Sequence, residues 1–426
     1  MRSRKKPTLY GFRICSAALV AWTLSSFDQS LFSYTVPAIM RDLRLSLGDI
    51  ADILSFGFLL ALVVTLGAGI IADRFGRRIS LVLFLSLSAI CVGATGVART
   101  GVMLGILRAL GFSLGNGLSP ITSSYVAEGS PPRYRGLLIS VLQCGYPIGW
   151  FVASFVAVPL LATYGWRALY YCAFFVVPGA ILLYLVLPES ISFEESAAQA
   201  HGTSASSRIR MLCESKLRRR TFLGALVYLL FGGAYGGSAF YFPTFFHVVR
   251  GYSESTSAFI VGAGYGVGIL GYLGAALIGE FVTTRRNTAA AWCLLGTIAL
   301  LALIWLPGTY HEDLVAFGTV AVFFYGVAGV LQTFITELFP THLRATGSAL
   351  SASAGLCLGF ALFPILVARC VGIIGWQWGF TATVVPALFF AGLVICGLDN
   401  IPSGQTLVGV AEWRDSVTEK DDQQAI

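Results

Sequence analysis

A glutamate, a proline and an arginine at fixed spacing occur twice in the chain, as Glu128, Pro131 and Arg135 and again as Glu337, Pro340 and Arg344. The copies lie 209 residues apart in a chain of 426, close to half its length, and a long apolar stretch leads into each. Gly165 and Trp166 recur as Gly375 and Trp376 at an offset of 210, and Arg77 and Arg78 as Arg285 and Arg286 at 208. Three coincidences at one shift mean that an apolar module has been duplicated head to tail, as in membrane proteins built from parallel repeats.

Composition puts that module in a bilayer. Hydrophobic residues make up 56% of the chain and charged residues 12%, about half the charged share of an average soluble domain. Apolar runs of roughly 20 residues, long enough to span, fall near 13–36, 50–71, 79–97, 101–126, 137–160, 167–187, 221–246, 256–282, 288–306, 312–336, 345–368 and 378–398. The expected fold is therefore all-α and integral to the membrane, with twelve spans, six per half. Basic residues near span ends are retained on the cytoplasmic side. With both termini inside, 21 of the 28 Lys and Arg lie in cytoplasmic segments and only Arg41, Arg44, Arg99, Arg167, Arg250 and Arg369 lie outside. The net charge of +7 then reflects topology, and acidic lipid headgroups, not nucleic acid, are the expected partner of the cluster from Arg208 to Arg220.

The expected organisation is a first bundle over 1–187, a cytoplasmic linker over 188–220, a second bundle over 221–402 and a disordered tail over 403–426. The basic start of the chain, ahead of an apolar run, lacks a small-residue cleavage site and reads as a retained span, not a signal peptide. The nine cysteines show no C-x-x-C pair or metal-like spacing, so neither a disulfide framework nor a zinc site is suggested. The run Gly262-Ala-Gly264-Tyr-Gly266-Val-Gly268 follows no strand and lies inside a span, which fits close helix packing and not a dinucleotide fingerprint. No phosphate-binding loop for ATP and no catalytic or metal constellation is visible, so the chain reads as a non-enzyme without cofactor, driven by an ion gradient.

Between the second and third runs stands Gly69-Ile-Ile-Ala-Asp73-Arg74-Phe-Gly76-Arg77-Arg78, which resembles the loop signature of the major facilitator superfamily. The repeated E-x-x-P-x-x-x-R, the Gly165-Trp166-Arg167 and the Leu187-Pro188-Glu189-Ser190 are similar to the same superfamily, so the resemblance covers nearly the whole chain. The first span, from Phe27-Asp28 to Pro37-Ala-Ile39, resembles the F-D-x8-P-x-I of aromatic acid:proton symporters and lies near the sialate and monocarboxylate symporters. Two positions depart from the aromatic-acid pattern: Ser25 stands where a second Asp is usual, and Phe112 where a Gly follows the Arg of the fourth span. The resemblance implies twelve helices in two parallel-repeat bundles, a small organic anion as cargo, the plasma (inner) membrane as location and a monomer.

An Asp or Arg at mid-bilayer costs about 2.5–3.5 kcal/mol on insertion scales, which makes the few present functional candidates. Asp28 and Arg108 each lie about 10–12 Å inside the outer end of their spans, and in the superfamily's fold spans one and four are neighbours lining the cavity. If the two side chains meet, a substrate carboxylate that takes over Arg108 removes the counter-charge and lets Asp28 bind a proton. Asp28 is thus the expected proton-coupling residue and Arg108 the expected anion site. Asn116, Gln143, Tyr146, Tyr235, Tyr325 and Gln332 are further candidates for the substrate's body, as hydrogen-bonding groups beside ring faces. A gating role is expected for Asp73, Arg74, Gly76, Arg77, Arg78, Glu128, Arg135, Glu337 and Arg344, whose ion pairs would latch the bundles at the inner span ends; each exposed pair is worth only about 0.2–1 kcal/mol, so a network is required. Sugar or polyol uptake, drug or metabolite efflux, and a non-transporting sensor stay open as alternatives.

Overall fold

The structure, a computed structural model, describes residues 7–130, 135–189, 215–306, 308–339, 347 and 349–400. Among them every regular element is helical. Ten helices are long and apolar enough to cross a membrane, against the twelve separate runs expected. The last of the ten, Ser351–Cys396, covers two of those runs and turns at Gly375, whose φ of 79° is a backbone conformation that favours glycine. The first helix, Pro7–Leu43, is not one of the ten; Ser25, Ser26, Asp28, Gln29, Ser30, Ser33 and Thr35 make its middle polar, and all of them are buried.

Three of the interior breaks stand beside prolines. A proline at position i cannot donate to the carbonyl at i−4 and its ring crowds that carbonyl. Pro147 follows the break between the helices Arg135–Gln143 and Gly145–Thr163. Pro178 follows the 3-10 turn Cys172–Phe175. Pro243 frees the carbonyl of Ala239, and the helix Ser215–Ala239 stops there before Phe242–Val249 begins. Serine and threonine start the spans: Ser46 caps Leu47–Phe75 in a capping box with Asp49, and Thr100, Ser253 and Thr284 accept from the backbone of Met103, Thr256 and Asn287.

Helices of residues 7–186 pack mainly on one another, as do those of 215–396, and the two sets meet where Gly145–Thr163 crosses Glu254–Phe281 and where Leu47–Phe75 crosses Ala354–Cys396. The duplication is visible in backbone and side chains alike. Gly165 has φ 75° where its repeat Gly375 has 79°, and Arg77 pairs with Glu128 as Arg285 pairs with Glu337. The seventh run begins earlier than expected: the helix starts at Ser215, so Arg218, Arg219 and Arg220 belong to its first turns, with Arg220 Nε 2.9 Å from Asp399 Oδ2. Residues 190–214 and 401–426, the bulk of the expected linker and tail, lie outside the described residues.

Candidate functional site

Arg108 is buried to 1% exposure on the helix Gly101–Gly129, and Asp28 to 0% on the first helix. The two helices are neighbours, tied by Ser25 Oγ donating to the Gly115 carbonyl at 3.2 Å. The expected ion pair is nevertheless not formed. Arg108 Nη2 donates to the Gln29 carbonyl at 3.0 Å, one residue past Asp28, while both Asp28 oxygens and Arg108 Nε and Nη1 have no hydrogen-bond partner. The guanidinium carbon sits 4.7 Å from the ring centroids of both Phe32 and Phe112. A desolvated cation between two ring faces is stabilised by their quadrupoles, which leaves its N–H groups for another acceptor.

Beside this charge lies a wall of rings contributed by both halves. Tyr146 is 5.8 Å from Tyr235, and Tyr235 is 4.3 Å from Tyr325, so three of the expected substrate residues come together. Two further residues belong with them. Trp150 lies 4.6 Å from Tyr265, which stacks on Tyr325 at 5.0 Å with an interplanar angle of 3°. Both carried a readable signal. Trp150 follows Tyr146 by four positions on one helix face, and Tyr265 is the one large side chain within the glycine run assigned to packing. The remaining candidates are less involved. Asn116 Nδ2 donates to the Phe112 carbonyl of its own helix at 2.9 Å, and Gln332 Oε1 accepts from Tyr228 at 2.8 Å. Gln143 is half-buried at the helix break before Cys144.

At the end of the molecule that holds Gly76, the ion pairs among the described residues join groups of the same half. Arg77 Nη2 lies 3.1 Å from Glu128 Oε1. Glu189 accepts the backbone N–H of Arg77 at 2.9 Å and of Arg78 at 3.2 Å, filling orphan donors at a helix start. Gly76 is required twice over, by its φ of 98° and because a Cβ would come within 2.7 Å of the Glu189 carboxylate. Arg78 caps the Tyr184 carbonyl and lies over its ring, 4.0 Å from the centroid; Arg74 is exposed over Phe75. In the second half Arg285 bridges Glu280 and Glu337. The side chains of Asp73 and Arg135, and all of Arg344, lie outside the described residues.

The hydrogen bonds and the ion pair described between the halves lie towards the opposite end. Arg41 pairs with Glu254 at 2.8 Å, beside a cavity of about 340 Å³ that His247 also lines. Ser33 Oγ donates at 2.9 Å to the Ala239 carbonyl, the group that Pro243 releases from its own helix. Ser55 donates to the Ala361 carbonyl, and Gly262 packs so closely on Ser154 that an added Cβ would overlap its side chain. Residues 231–246, around that released carbonyl, are buried without interruption. The Arg41 end is therefore closed.

The family model for the Major Facilitator Superfamily matches residues 18–355. The chain belongs to that superfamily. It is 30% identical over 394 residues to the cis,cis-muconate transport protein of Acinetobacter baylyi (strain ATCC 33305 / BD413 / ADP1), covering 89% of this chain and 91% of the relative. It is 27% identical over 410 residues to the gallate transporter of Pseudomonas putida, covering 87% of each. Among solved structures, the proton:xylose symporter XylE bound to 6-bromo-6-deoxy-D-glucose superposes with a TM-score of 0.72 at 17% identity, over 95% of this chain and 98% of that one. This facilitator is thus a multi-pass membrane protein of the transporter class, not an enzyme.

Proposed function

We propose that this facilitator carries a small organic acid together with a proton by alternating access between two six-helix bundles. The observation that carries the reading is Arg108: a fully buried cation with two nitrogens unpaired, among rings, beside a carboxylate with both oxygens unpaired. Buried polar groups are hydrogen-bonded as a rule, so a charged group buried without partners calls for an explanation, and a bound ion is one. An anion is the natural complement of Arg108, and two relatives, the cis,cis-muconate transport protein and the gallate transporter, are named for organic acids. Asp28 is the proton carrier in this reading, since it is the acidic group nearest the anion's counter-charge.

Several finer statements belong to the same proposal. The chain makes twelve spans, counting the first helix and taking Ser351–Cys396 as two. Its bundles are 1–187 and 221–402, its linker and both termini are cytoplasmic, and it works as a monomer in the plasma membrane. The Gly76 end is cytoplasmic, so the closed Arg41 end faces out. The gating set of Asp73, Arg74, Gly76, Arg77, Arg78, Glu128, Arg135, Glu337 and Arg344 latches the bundles at their inner ends and releases as they rock.

Proteoliposomes under an imposed pH gradient test the reading. Acid outside should drive accumulation of labelled muconate or gallate, and a protonophore should abolish it. Uptake that follows sodium and ignores pH would remove the proton from the mechanism; no uptake of any organic acid would remove the cargo class.

A further inference from the structure

Trp166, the tryptophan of the duplicated Gly-Trp pair, stands edge-on to Tyr170 with ring centroids 5.8 Å apart, and Asp42 pins its indole N–H. Tyr170 is fully buried. Its hydroxyl lies 3.1 Å from Thr35 Oγ1, while the Thr35 hydroxyl donates to the carbonyls of Leu31 and Phe32 at 2.8 and 3.1 Å. A hydroxyl has one hydrogen to give. Thr35 has spent its own on the backbone, so between these two groups Tyr170 is the donor.

The same helix face carries the anion site. Phe32, whose ring lies 4.7 Å from the Arg108 guanidinium carbon, precedes Thr35 by three residues, and side chains at that spacing are neighbours on a helix. Phe32 thus holds Arg108 beside the place where Thr35 holds Tyr170. Of the ionisable groups around Arg108, the Tyr170 hydroxyl is the one that its charge reaches most strongly, ahead of Tyr146 and Asp28.

The second half repeats this corner without its polar groups. At an offset of 210, Phe32, Thr35, Arg108, Trp166 and Tyr170 correspond to Phe242, Phe245, Gly318, Trp376 and Phe380. The packing is kept: Trp376 stands 5.7 Å from Phe380, and Phe380 5.6 Å from Phe245. The arginine and both hydroxyls are replaced together. A bare ring therefore suffices to pack the corner, and the Tyr170 hydroxyl goes with Arg108, not with the fold.

We infer that Tyr170 is a recognition residue for the acid, parked on Thr35 until a carboxylate reaches Arg108 and then turning its O–H onto that carboxylate. The inference deepens the organic-acid reading and rests on it. A hydrogen bond to an ionised acceptor is roughly twice as strong as one between neutral groups, so the anion outcompetes Thr35 for the one hydrogen, and rotation about the phenol C–O bond is the only movement required. Arg108, Tyr170, Phe32 and Thr35 all belong to the first half, so the charged end of the cargo is recognised within one bundle and stays with it while the halves rock.

Isothermal titration calorimetry of the purified full chain with cis,cis-muconate, and separately with gallate, tests the assignment. Tyr170→Phe keeps the ring and removes the hydroxyl, and should weaken binding of the acid about tenfold, the difference between a charged and a neutral hydrogen bond. Thr35→Val removes the parking acceptor and should leave the acid bound at least as tightly as in the wild type, even where it lowers the melting temperature, because the phenol then has no bond to give up. A purely structural link between the first and sixth spans gives a different pattern, with both variants less stable and their affinities changed alike. That pattern overturns the inference, as does wild-type affinity in Tyr170→Phe or a Tyr170→Phe chain that does not fold. If the wild type binds either acid and the pattern fails, only this inference falls; if it binds neither, the organic-acid reading falls with it.

Discussion

Replacing Gly262 by alanine should open the closed end of the molecule. The added methyl would overlap the Ser154 side chain and approach its Cα at 3.4 Å, and neither partner has a flexible end to swing away. Overpacking of this kind typically costs about 1–3 kcal/mol. Inside one bundle that cost would fall on folding. Here Gly262 and Ser154 belong to different halves, and the halves can separate at this end without unfolding. The strain therefore falls on the closed conformation, and about 1–3 kcal/mol corresponds to a shift of roughly 5- to 150-fold in the closed–open equilibrium. Ser33→Cys reports it, because Ser33 is buried at the same junction, bonded to Ala239. In a background with native cysteines replaced, a membrane-impermeant thiol reagent added from the Arg41 side should modify that cysteine faster by a factor in this range when Gly262→Ala is present. Ser154→Gly removes the colliding side chain and should restore the slow rate. An unchanged rate, or a rise that Ser154→Gly does not reverse, refutes the reasoning; a lower melting temperature at unchanged accessibility would place the cost on the fold instead.

Three further outcomes follow from the geometry. Arg108→Lys should lose most acid binding by calorimetry, because a lysine ammonium cannot both hold the Gln29 carbonyl and keep a planar group between Phe32 and Phe112; wild-type affinity in that variant would show that only the charge matters. Arg285→Ala leaves Glu280 and Glu337 facing each other, so adding Glu337→Gln should recover stability, with a coupling of about 0.5–3 kcal/mol in a melting-temperature double-mutant cycle; strict additivity would refute it. Asp42 accepts from Arg167 and from Trp166 Nε1 at 3.1 Å, and these partners, the Arg167 hydrogen bond foremost, hold its carboxyl below the usual carboxylate range. Its contribution, small because a partly exposed pair is worth about 0.2–1 kcal/mol, is present above the unfolded pKa of about 4 and lost as pH falls through the lowered native value. The melting-temperature gap between wild type and Asp42→Asn should thus be full at neutral pH and close in strong acid.

Repetition and burial cost were the legible parts of this chain. The offset near half the length announced the duplication, and the structure repeats it in the φ angles of Gly165 and Gly375 and in the pairs Arg77–Glu128 and Arg285–Glu337. Asp28 and Arg108 stood out because charge inside a span is expensive, and both are buried on adjacent helices. Three things were not legible. Whether Arg108 meets Asp28 or the neighbouring Gln29 carbonyl is a matter of one residue along a helix, about 1.5 Å of rise, finer than span boundaries read from hydropathy. Which aromatics face the junction depends on rotation about each helix axis, and an all-round apolar span carries no amphipathic signal to fix it. The charged groups at the Gly76 end could be placed by spacing, but which described partner each takes, as Arg77 takes Glu128 and Arg285 takes Glu337, depends on packing that spacing does not encode.

The separation of Asp28 from Arg108 bears directly on the coupling proposed above. A formed ion pair would have to be broken by each arriving anion, and in a low-dielectric centre breaking a buried pair is costly. In this structure Arg108 is held instead by rings on two sides and by a single carbonyl, so an anion can take its free nitrogens without displacing the carboxylate. Asp28 then answers to the anion through the field and not through a shared hydrogen bond. An arriving negative charge beside an unpaired buried carboxylate favours the carboxylate's neutral form, and departure of the anion reverses that preference. In the proposed mechanism proton and anion would be linked through the field between Asp28 and Arg108, not by a switch of partners.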